Sequence, residues 1–179
     1  ENIPQIALEN AKRRLLDYVG VTLAGSAEPA AKLILDYVRQ VGGREESSII
    51  GSNLKSSCVN AALANGFLGH TLDYDDISLP MIGHPSVAIF PAALAVGEYK
   101  KVCGKDLLTA FILGFEVANR LGYGFNPSHY EKGWHTTGTL GCFGATVAAG
   151  KLLNLNILEM TYSLGIAASL ASGIRENFG

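Results

Sequence analysis

Histidine and aspartate side chains are concentrated in one short stretch of the chain, residues 65–86. Charged residues make up only 17% of the sequence, so a polar stretch between apolar segments must be solvated, paired or used. Its histidines and aspartates are His70, Asp73, Asp75, Asp76 and His84. Imidazole titrates close to neutral pH, and a neighbouring carboxylate can set its tautomer and raise its basicity. Asp73 paired with His84 or with His135 is therefore predicted to carry out acid–base chemistry.

Residues 65–86 allow two other interpretations, a metal site and a solvated acidic loop. Histidine and aspartate are also metal ligands, but their spacing here matches no metal signature and no cysteine accompanies them. We therefore predict no metal ion. The aspartates can equally stay solvated and cap neighbouring turns, and the stretch taken alone fits this interpretation well.

A second candidate motif spans Gly133 to Gly138 and reads Gly-Trp-His-Thr-Thr-Gly. His135 directly precedes a predicted helix, whose first amides would attract a carboxylate together with Thr136 and Thr137. A histidine beside an anion site can exchange a proton with a bound carboxylate substrate. His135 could instead cap the helix or pack under the loop. Arg175 is either a bidentate carboxylate ligand or a plain surface charge.

The composition argues against several classes of protein. The chain has 179 residues, of which 48% are apolar, so we expect a domain with its own core rather than disorder. The net charge is −2 and no basic block occurs, which argues against nucleic acid. The three cysteines show no paired spacing, so we expect reduced thiols and a cytoplasmic protein. No signal peptide precedes the first predicted helix, and Pro91 interrupts the longest apolar run, so no membrane segment is expected.

Periodic apolar residues predict about seven helices and no sheet, an all-α bundle in a single domain over residues 1–179. The predicted helices cover residues 4–24, 29–41, 56–68, 86–102, 105–121, 136–153 and 157–170. The strand-like run 47–51 is too short to build a sheet, so we expect an extended connector there. Loops are predicted over the polar stretch and over residues 123–133. The low charge also predicts that a partner chain, or more of the same chain, covers part of the surface.

Taken in order, these motifs resemble the MmgE/PrpD family. The resemblance rests on Asn65-Gly66, on His70-Thr71-Leu72-Asp73-Tyr74-Asp75-Asp76, on His84-Pro85-Ser86, on residues 133–138 and on residues 144–153. Residues 11–25 and 173–179 are also similar to the family. The resemblance therefore covers nearly the whole chain.

The resemblance implies an all-helical domain of a longer, commonly dimeric enzyme that also has a smaller α+β lid. Family members dehydrate 2-methylcitrate, decarboxylate cis-aconitate or epimerise iminodisuccinate, and none is known to need an iron–sulfur cluster, so no cofactor is expected. Asp73, His84 and His135 match the catalytic positions of the family. The expected substrate-binding residues are His70, Thr136, Thr137 and Arg175. An active-site lysine of the family follows the Asn-Phe-Gly segment at residues 177–179.

The resemblance favours a hydro-lyase that dehydrates a 2-methylcitrate-like acid by histidine acid–base chemistry. In the decarboxylase branch a threonine follows the Asp-x-Asp-Asp run directly, whereas this chain has Ile77 and a loop to His84 that is longer by one residue. A cis-aconitate-type decarboxylase and an iminodisuccinate-type epimerase are the alternatives. A non-catalytic helical dimerisation module is the alternative of another class, because the lid is absent from these 179 residues.

Overall fold

Helices account for nearly all the regular structure in the computed structural model, which describes residues 3–177. Eight α-helices lie in this range: α1 (Gln5–Gly25), α2 (Pro29–Val41), α3 (Cys58–His70), α4 (Pro85–Lys100), α5 (Gly104–Phe125), α6 (Ser128–Glu131), α7 (Thr136–Leu152) and α8 (Ile157–Leu170). A 3-10 turn over Arg175–Asn177 follows them. The prediction of an all-α bundle is confirmed. Residues 178–179 of the closing motif lie outside the described range.

Capping residues account for several helix starts. The Ser57 hydroxyl accepts a hydrogen bond from the Asn60 amide at 3.3 Å, which satisfies one free donor at the start of α3. Asn156 and Glu159 form a reciprocal capping box at the start of α8. α4 begins with Pro85, whose fixed φ suits a first helical turn. None of the helices described over residues 3–177 combines the length and the apolar character needed to cross a bilayer.

The first residues of the predicted extended connector, residues 47–51, belong to a small hairpin instead. β1 (Ser47–Ser48) pairs antiparallel with β2 (Lys55–Ser56), so the prediction of no sheet is wrong at this point. Asn65, which is only 2% exposed, holds the hairpin in place. Its side chain accepts a hydrogen bond from the Ile50 amide at 2.9 Å and donates one to the Ser48 carbonyl oxygen at 3.0 Å. These bonds come from α3, so strand propensity alone does not reveal them.

The predicted loop over residues 123–133 is also partly helical. α5 continues through its glycines to Phe125, and α6 adds one further turn. Gly122 lets α5 touch the polar stretch, because a Cβ there would lie 2.4 Å from the carbonyl oxygen of Pro80. The Asn126 side chain donates to the same oxygen at 3.0 Å. Tertiary contacts thus outweigh the low helix propensity of glycine.

The core lies between α4 and α5 and continues to α7. The rings of Phe90 and Phe111 stack with centroids 3.6 Å apart, and both side chains are almost fully buried. Gly114 and Gly144 let α5 and α7 touch, since a Cβ at Gly114 would lie 2.4 Å from the Gly144 carbonyl oxygen. This packing fixes the N-terminal ends of α4 and α7 relative to each other, and those two ends carry the candidate site.

Candidate active site

The polar stretch connects the end of α3 to the start of α4 and folds back on itself. His70 is the last residue of α3, and His84 occupies the N-cap position of α4. Between them the Ser78 amide donates to the Gly83 carbonyl oxygen at 2.9 Å, which closes the loop. The imidazole rings of His70 and His84 therefore meet, with centroids 4.8 Å apart and planes at 64°.

Asp76 fastens this loop to two helices. Its Oδ1 accepts a hydrogen bond from the Ser86 amide at 3.1 Å, and its Oδ2 accepts one from the Ser86 hydroxyl at 2.7 Å. The same carboxylate forms an ion pair with Arg14 of α1, whose guanidinium carbon lies 4.6 Å from the centroid of the Phe115 ring. A negative charge at the start of α4 also complements the helix dipole. Asp76 is therefore a structural residue of the loop.

Threonine hydroxyls join the loop to the start of α7. Thr136 is fully buried and donates to the carbonyl oxygen of Ile82. The His84 amide donates to Thr137 Oγ1 at 3.0 Å. A Cβ at Gly83 would lie 2.9 Å from both hydroxyl oxygens, so this close approach needs a glycine. The two candidate motifs of the sequence thus come together in space.

Asp75 lies on the buried side of both imidazole rings, with a side chain only 1% exposed. Its Oδ1 accepts a hydrogen bond from His70 Nδ1 at 2.8 Å. Its backbone carbonyl oxygen accepts one from His84 Nδ1 at 3.3 Å, and its Oδ2 lies 3.4 Å from the same nitrogen. Because carboxylate and carbonyl oxygens only accept hydrogen bonds, the Nδ1 atoms of both rings carry a proton.

Asp73 lies on the solvent side of the same pair of histidines. Its Oδ1 is 3.7 Å from His70 Nε2 and 3.6 Å from His84 Nε2, and its side chain is 75% exposed. Its φ of 52° lies in the left-handed region, which aspartate adopts more readily than most residues. Asp73 and Asp75 therefore face opposite nitrogens of the same two rings.

The sequence places Asp75 among the candidate residues but predicts Asp73, not Asp75, as the partner of a histidine. Both residues belong to the same Asp-x-Asp-Asp run, and their spacing does not show which carboxylate points inward. No signal in the sequence shows that Asp75 points inward, because the bonds between the loop and α7 decide the direction of each side chain.

The environments of these groups shift their pKa values in different directions. Burial alone would raise the pKa of the Asp75 carboxyl, but its interactions with His70 and His84 outweigh this effect and lower the pKa to about 2. The Asp75 carboxylate in turn raises the pKa of His84 above its ordinary value of 6.5, against the opposing effect of burial. Burial lowers the pKa of His135 below 6.5, and positive charge on His70 and His84 adds to this shift. His84 thus favours the protonated form and His135 the neutral form.

Histidines from both motifs open onto one cavity of about 670 Å³. This volume falls in the range of about 300–1,000 Å³ that is typical of small-molecule sites. The residues that line the cavity are His70, Asp73, Ile77, Ser78, Leu79, Ile82, Gly83, His84, Tyr130, His135, Thr137 and Asn177. Within residues 3–177, no lysine or arginine belongs to this lining.

Two of the expected substrate-binding residues, Thr136 and Arg175, do not line the cavity. The Thr136 hydroxyl donates its hydrogen bond to the Ile82 carbonyl oxygen of the loop. The Arg175 guanidinium lies over the Tyr130 ring, 4.1 Å from its centroid, and Nη1 donates to the Tyr130 carbonyl oxygen at 3.0 Å. The structure therefore places Arg175 behind the cavity wall, whereas the expected residues His70 and Thr137 belong to the wall itself.

Four side chains of the loop also converge closely enough to hold a metal ion. One ligand atom from each of His70, Asp73, Asp75 and His84 can be chosen so that these atoms lie within 4.8 Å of one another. Imidazole nitrogens and carboxylate oxygens are ligands that Zn²⁺ accepts. The sequence spacing shows no metal signature because the convergence arises only when the loop folds back.

A protein-family model and several characterised proteins match nearly the whole chain. The model of the MmgE/PrpD N-terminal domain matches residues 1–179. A cis-aconitate decarboxylase-like protein of Aspergillus oryzae is 31% identical over 185 residues, which cover 97% of this chain and 38% of that protein. The cis-aconitate decarboxylases of Mus musculus and Homo sapiens are 31% and 30% identical over 92% and 95% of this chain. The chain spans 35% to 38% of the length of these relatives.

Proposed function

Because the chain belongs to the MmgE/PrpD family, we propose that its full-length protein is a lyase that acts on a small polycarboxylate. Histidines of the cavity perform the acid–base steps. One observation carries this proposal: Asp75 holds Nδ1 of both His70 and His84, and both rings line the same cavity as His135.

His84 and His135 take opposite roles in the proposed mechanism. The raised pKa of His84 favours an imidazolium, which can donate a proton. The lowered pKa of His135 favours a neutral imidazole, which can accept one. Two groups whose environments separate their pKa values can act as acid and base at the same pH. We therefore assign His84 as the general acid and His135 as the general base.

Asp75 and Asp73 support these histidines from opposite sides. Asp75 does not line the cavity, so it acts as a positioning residue that keeps a proton on Nδ1 of each ring. The Nε2 atoms then exchange protons with the substrate. Asp73 Oδ1, within 3.7 Å of both Nε2 atoms, orients them at the mouth of the cavity.

A polycarboxylate also needs positive charge and hydrogen-bond donors. Protonated His84 and the Thr137 hydroxyl supply these groups in the described part of the chain, whose cavity lining holds no lysine or arginine. We expect the remaining cations from the part of the full-length protein that this chain does not span, including the lysine that the family resemblance implies. The same part is expected to form the α+β lid, and the full-length protein a homodimer.

Decarboxylation of cis-aconitate is the first reaction to assay, because the similar mouse and human proteins are cis-aconitate decarboxylases. In such a reaction the bond between the carbon chain and one carboxylate breaks and carbon dioxide leaves. The electron pair of that bond stays on the carbon chain, where a proton must replace the lost group. The His84 imidazolium supplies that proton and becomes neutral.

Dehydration of a 2-methylcitrate-like acid is the second candidate. Ile77 lines the cavity at the position where the decarboxylase branch of the family carries threonine. In this reaction His135 removes a proton from the carbon next to a carboxylate. The carbon–oxygen bond breaks as His84 protonates the leaving hydroxyl, so that a carbon–carbon double bond forms and water is released.

The test is a substrate panel on the full-length protein, followed by proton NMR. Loss of carbon dioxide from cis-aconitate, loss of water from 2-methylcitrate and racemisation of iminodisuccinate give different products. We expect turnover of cis-aconitate or 2-methylcitrate. If the wild-type protein turns over none of these acids, the non-catalytic dimerisation module becomes the better description.

Single substitutions then test the assigned residues. His84→Ala and His135→Ala should each lower kcat by about 10²–10⁴-fold, the usual contribution of a general acid or base. His129→Ala is the matched control, because His129 stacks on Trp134 with ring centroids 5.8 Å apart and does not line the cavity. Turnover near the wild-type rate in His84→Ala and His135→Ala would overturn the assignment.

A further inference from the structure

Two imidazole nitrogens and one carboxylate oxygen lie close together at the mouth of the cavity. The Nε2 atoms of His70 and His84 lie 3.7 and 3.6 Å from one oxygen of Asp73. In a tetrahedral zinc site with bonds of about 2.0–2.2 Å, neighbouring ligand atoms are about 3.3–3.5 Å apart. Both distances to Asp73 are thus close to those of a zinc site, and ligand atoms of the whole cluster can be chosen within 4.8 Å of one another.

The Nδ1 atom of each ring donates a hydrogen bond, as the second nitrogen of a metal-binding histidine usually does. Asp75 accepts a hydrogen bond from His70 Nδ1 at 2.8 Å, and its carbonyl oxygen accepts one from His84 Nδ1 at 3.3 Å. Such a partner behind each imidazole sets the tautomer, raises the basicity of Nε2 and fixes the orientation of the ring. An ion at the Nε2 atoms leaves both of these bonds intact.

The charges around the His70–His84 pair favour a small dication. Asp73 and Asp75 bring two carboxylates to the histidine pair. Within residues 3–177, no lysine or arginine lines the cavity to repel a cation. An ion bound between the two rings would replace the proton on His84 Nε2 and offset the negative charge of the two aspartates.

From these observations we propose that His70 Nε2, His84 Nε2 and Asp73 Oδ1 form a binding site for a divalent transition metal ion such as Zn²⁺. Two imidazoles and one carboxylate suit Zn²⁺, and three protein ligands leave one coordination position open to the cavity. A bound ion occupies the ring nitrogens that exchange protons in the proposed lyase reaction. Zn²⁺ therefore inhibits the enzyme, an effect that goes beyond the function proposed above.

The direct experiment is isothermal titration of the metal-free full-length protein with Zn²⁺, without substrate. We expect one ion per chain in the wild-type protein. His70→Ala and His84→Ala each remove one ligand, and Asp73→Asn replaces a charged ligand by a weaker neutral one. Each variant should weaken binding by at least about 10–100-fold, the usual effect of altering an outer-shell partner. Asp73→Asn is the variant least prone to misfolding, because the Asp73 side chain is 75% exposed.

Two control variants separate this site from other zinc ligands of the protein. His129→Ala removes a histidine outside the cluster, and Cys103→Ser removes the exposed thiol. Both should bind Zn²⁺ as the wild-type protein does. Equal Zn²⁺ affinity in the wild type and the three ligand variants, or loss of binding in Cys103→Ser, would overturn the proposed site.

Cobalt gives a readout that reports the ligands themselves. Co²⁺ bound by two imidazoles and a carboxylate in a four-coordinate site absorbs visible light strongly, and this band should vanish in His70→Ala and His84→Ala. A wild-type protein that shows only the weak absorption of hydrated Co²⁺ at saturation would count against the site. Neither measurement uses turnover, so failure of metal binding would leave the lyase proposal standing, and failure of the substrate panel would leave the metal site standing.

Discussion

Asp75 Oδ1 accepts a hydrogen bond from His70 Nδ1 at 2.8 Å, although the Asp75 side chain is only 1% exposed. A buried carboxylate is costly unless it is paired and hydrogen-bonded. The second partner is His84, whose Nδ1 lies 3.4 Å from Asp75 Oδ2. A single buried group thus sets the tautomer and the orientation of two histidines that line the cavity.

Asp75→Asn in the full-length protein should impair turnover. The amide keeps the size of the side chain but removes the charge and replaces one acceptor by a donor, so it cannot face two Nδ1–H groups. We expect kcat to fall by about 10²–10⁴-fold and KM to change little, since Asp75 does not line the cavity. Steady-state kinetics check this, and a kcat close to wild type would show that the histidines do not depend on Asp75.

Asp76→Asn should lower the stability of the protein and leave kcat nearly unchanged. Asp76 accepts two hydrogen bonds from Ser86 at the start of α4 and pairs with Arg14. Loss of such a cap costs about 0.5–2 kcal/mol of the free energy of unfolding, whereas kcat should stay near wild type below the unfolding temperature. Urea unfolding measures the first effect. Unchanged stability together with a large loss of kcat would place Asp76 in the chemistry instead.

The opposite pKa shifts of His84 and His135 predict a bell-shaped dependence of kcat/KM on pH. The base His135 must be neutral, so activity rises with pH through a pKa that burial places below 6.5. The acid His84 must be protonated, so activity falls as pH rises through a pKa that Asp75 places above 6.5. In Asp75→Asn the falling limb should move to lower pH, because the carboxylate that raises the pKa of His84 is gone. A falling limb that stays in place would contradict the assignment of His84.

The parts of the fold that follow from local signals could be predicted from the sequence. Apolar periodicity locates seven of the eight helices described in residues 3–177. The hairpin could not be predicted, because the buried side chain of Asn65 supplies its bonds from another helix. The sequence brings His70, Asp73, Asp75 and His84 into one polar stretch, but it does not show that Asp75 is the buried carboxylate beside the two histidines. Which carboxylate points inward depends on how Thr136 anchors the loop to α7, a contact between residues far apart in the chain.

Gly83→Ala tests whether the close contact between the loop and α7 builds the site. An added Cβ would lie 2.9 Å from the hydroxyl oxygens of Thr136 and Thr137, so the loop must shift. Overpacking of this kind costs about 1–3 kcal/mol, and kcat should fall because His84 moves with the loop. The matched control is Gly20→Ala in α1, where an added Cβ meets nothing within 4 Å and stability should rise by about 0.4–1 kcal/mol. Urea unfolding compares the two variants, and equal stabilities would show that the loop does not depend on this contact.

Ile77→Thr tests what selects between decarboxylation and dehydration. Ile77 lines the cavity and is 64% exposed, so threonine, which is also β-branched, should be accommodated without loss of stability. The substitution places a hydroxyl where the decarboxylase branch of the family carries one. We expect the ratio of kcat/KM for cis-aconitate to that for 2-methylcitrate to rise by roughly 10-fold, the scale of a single pocket contact. Ile77→Val keeps the apolar surface and should leave the ratio near wild type. If the ratio is the same in all three proteins, Ile77 does not set the specificity, and it no longer supports dehydration as the second candidate.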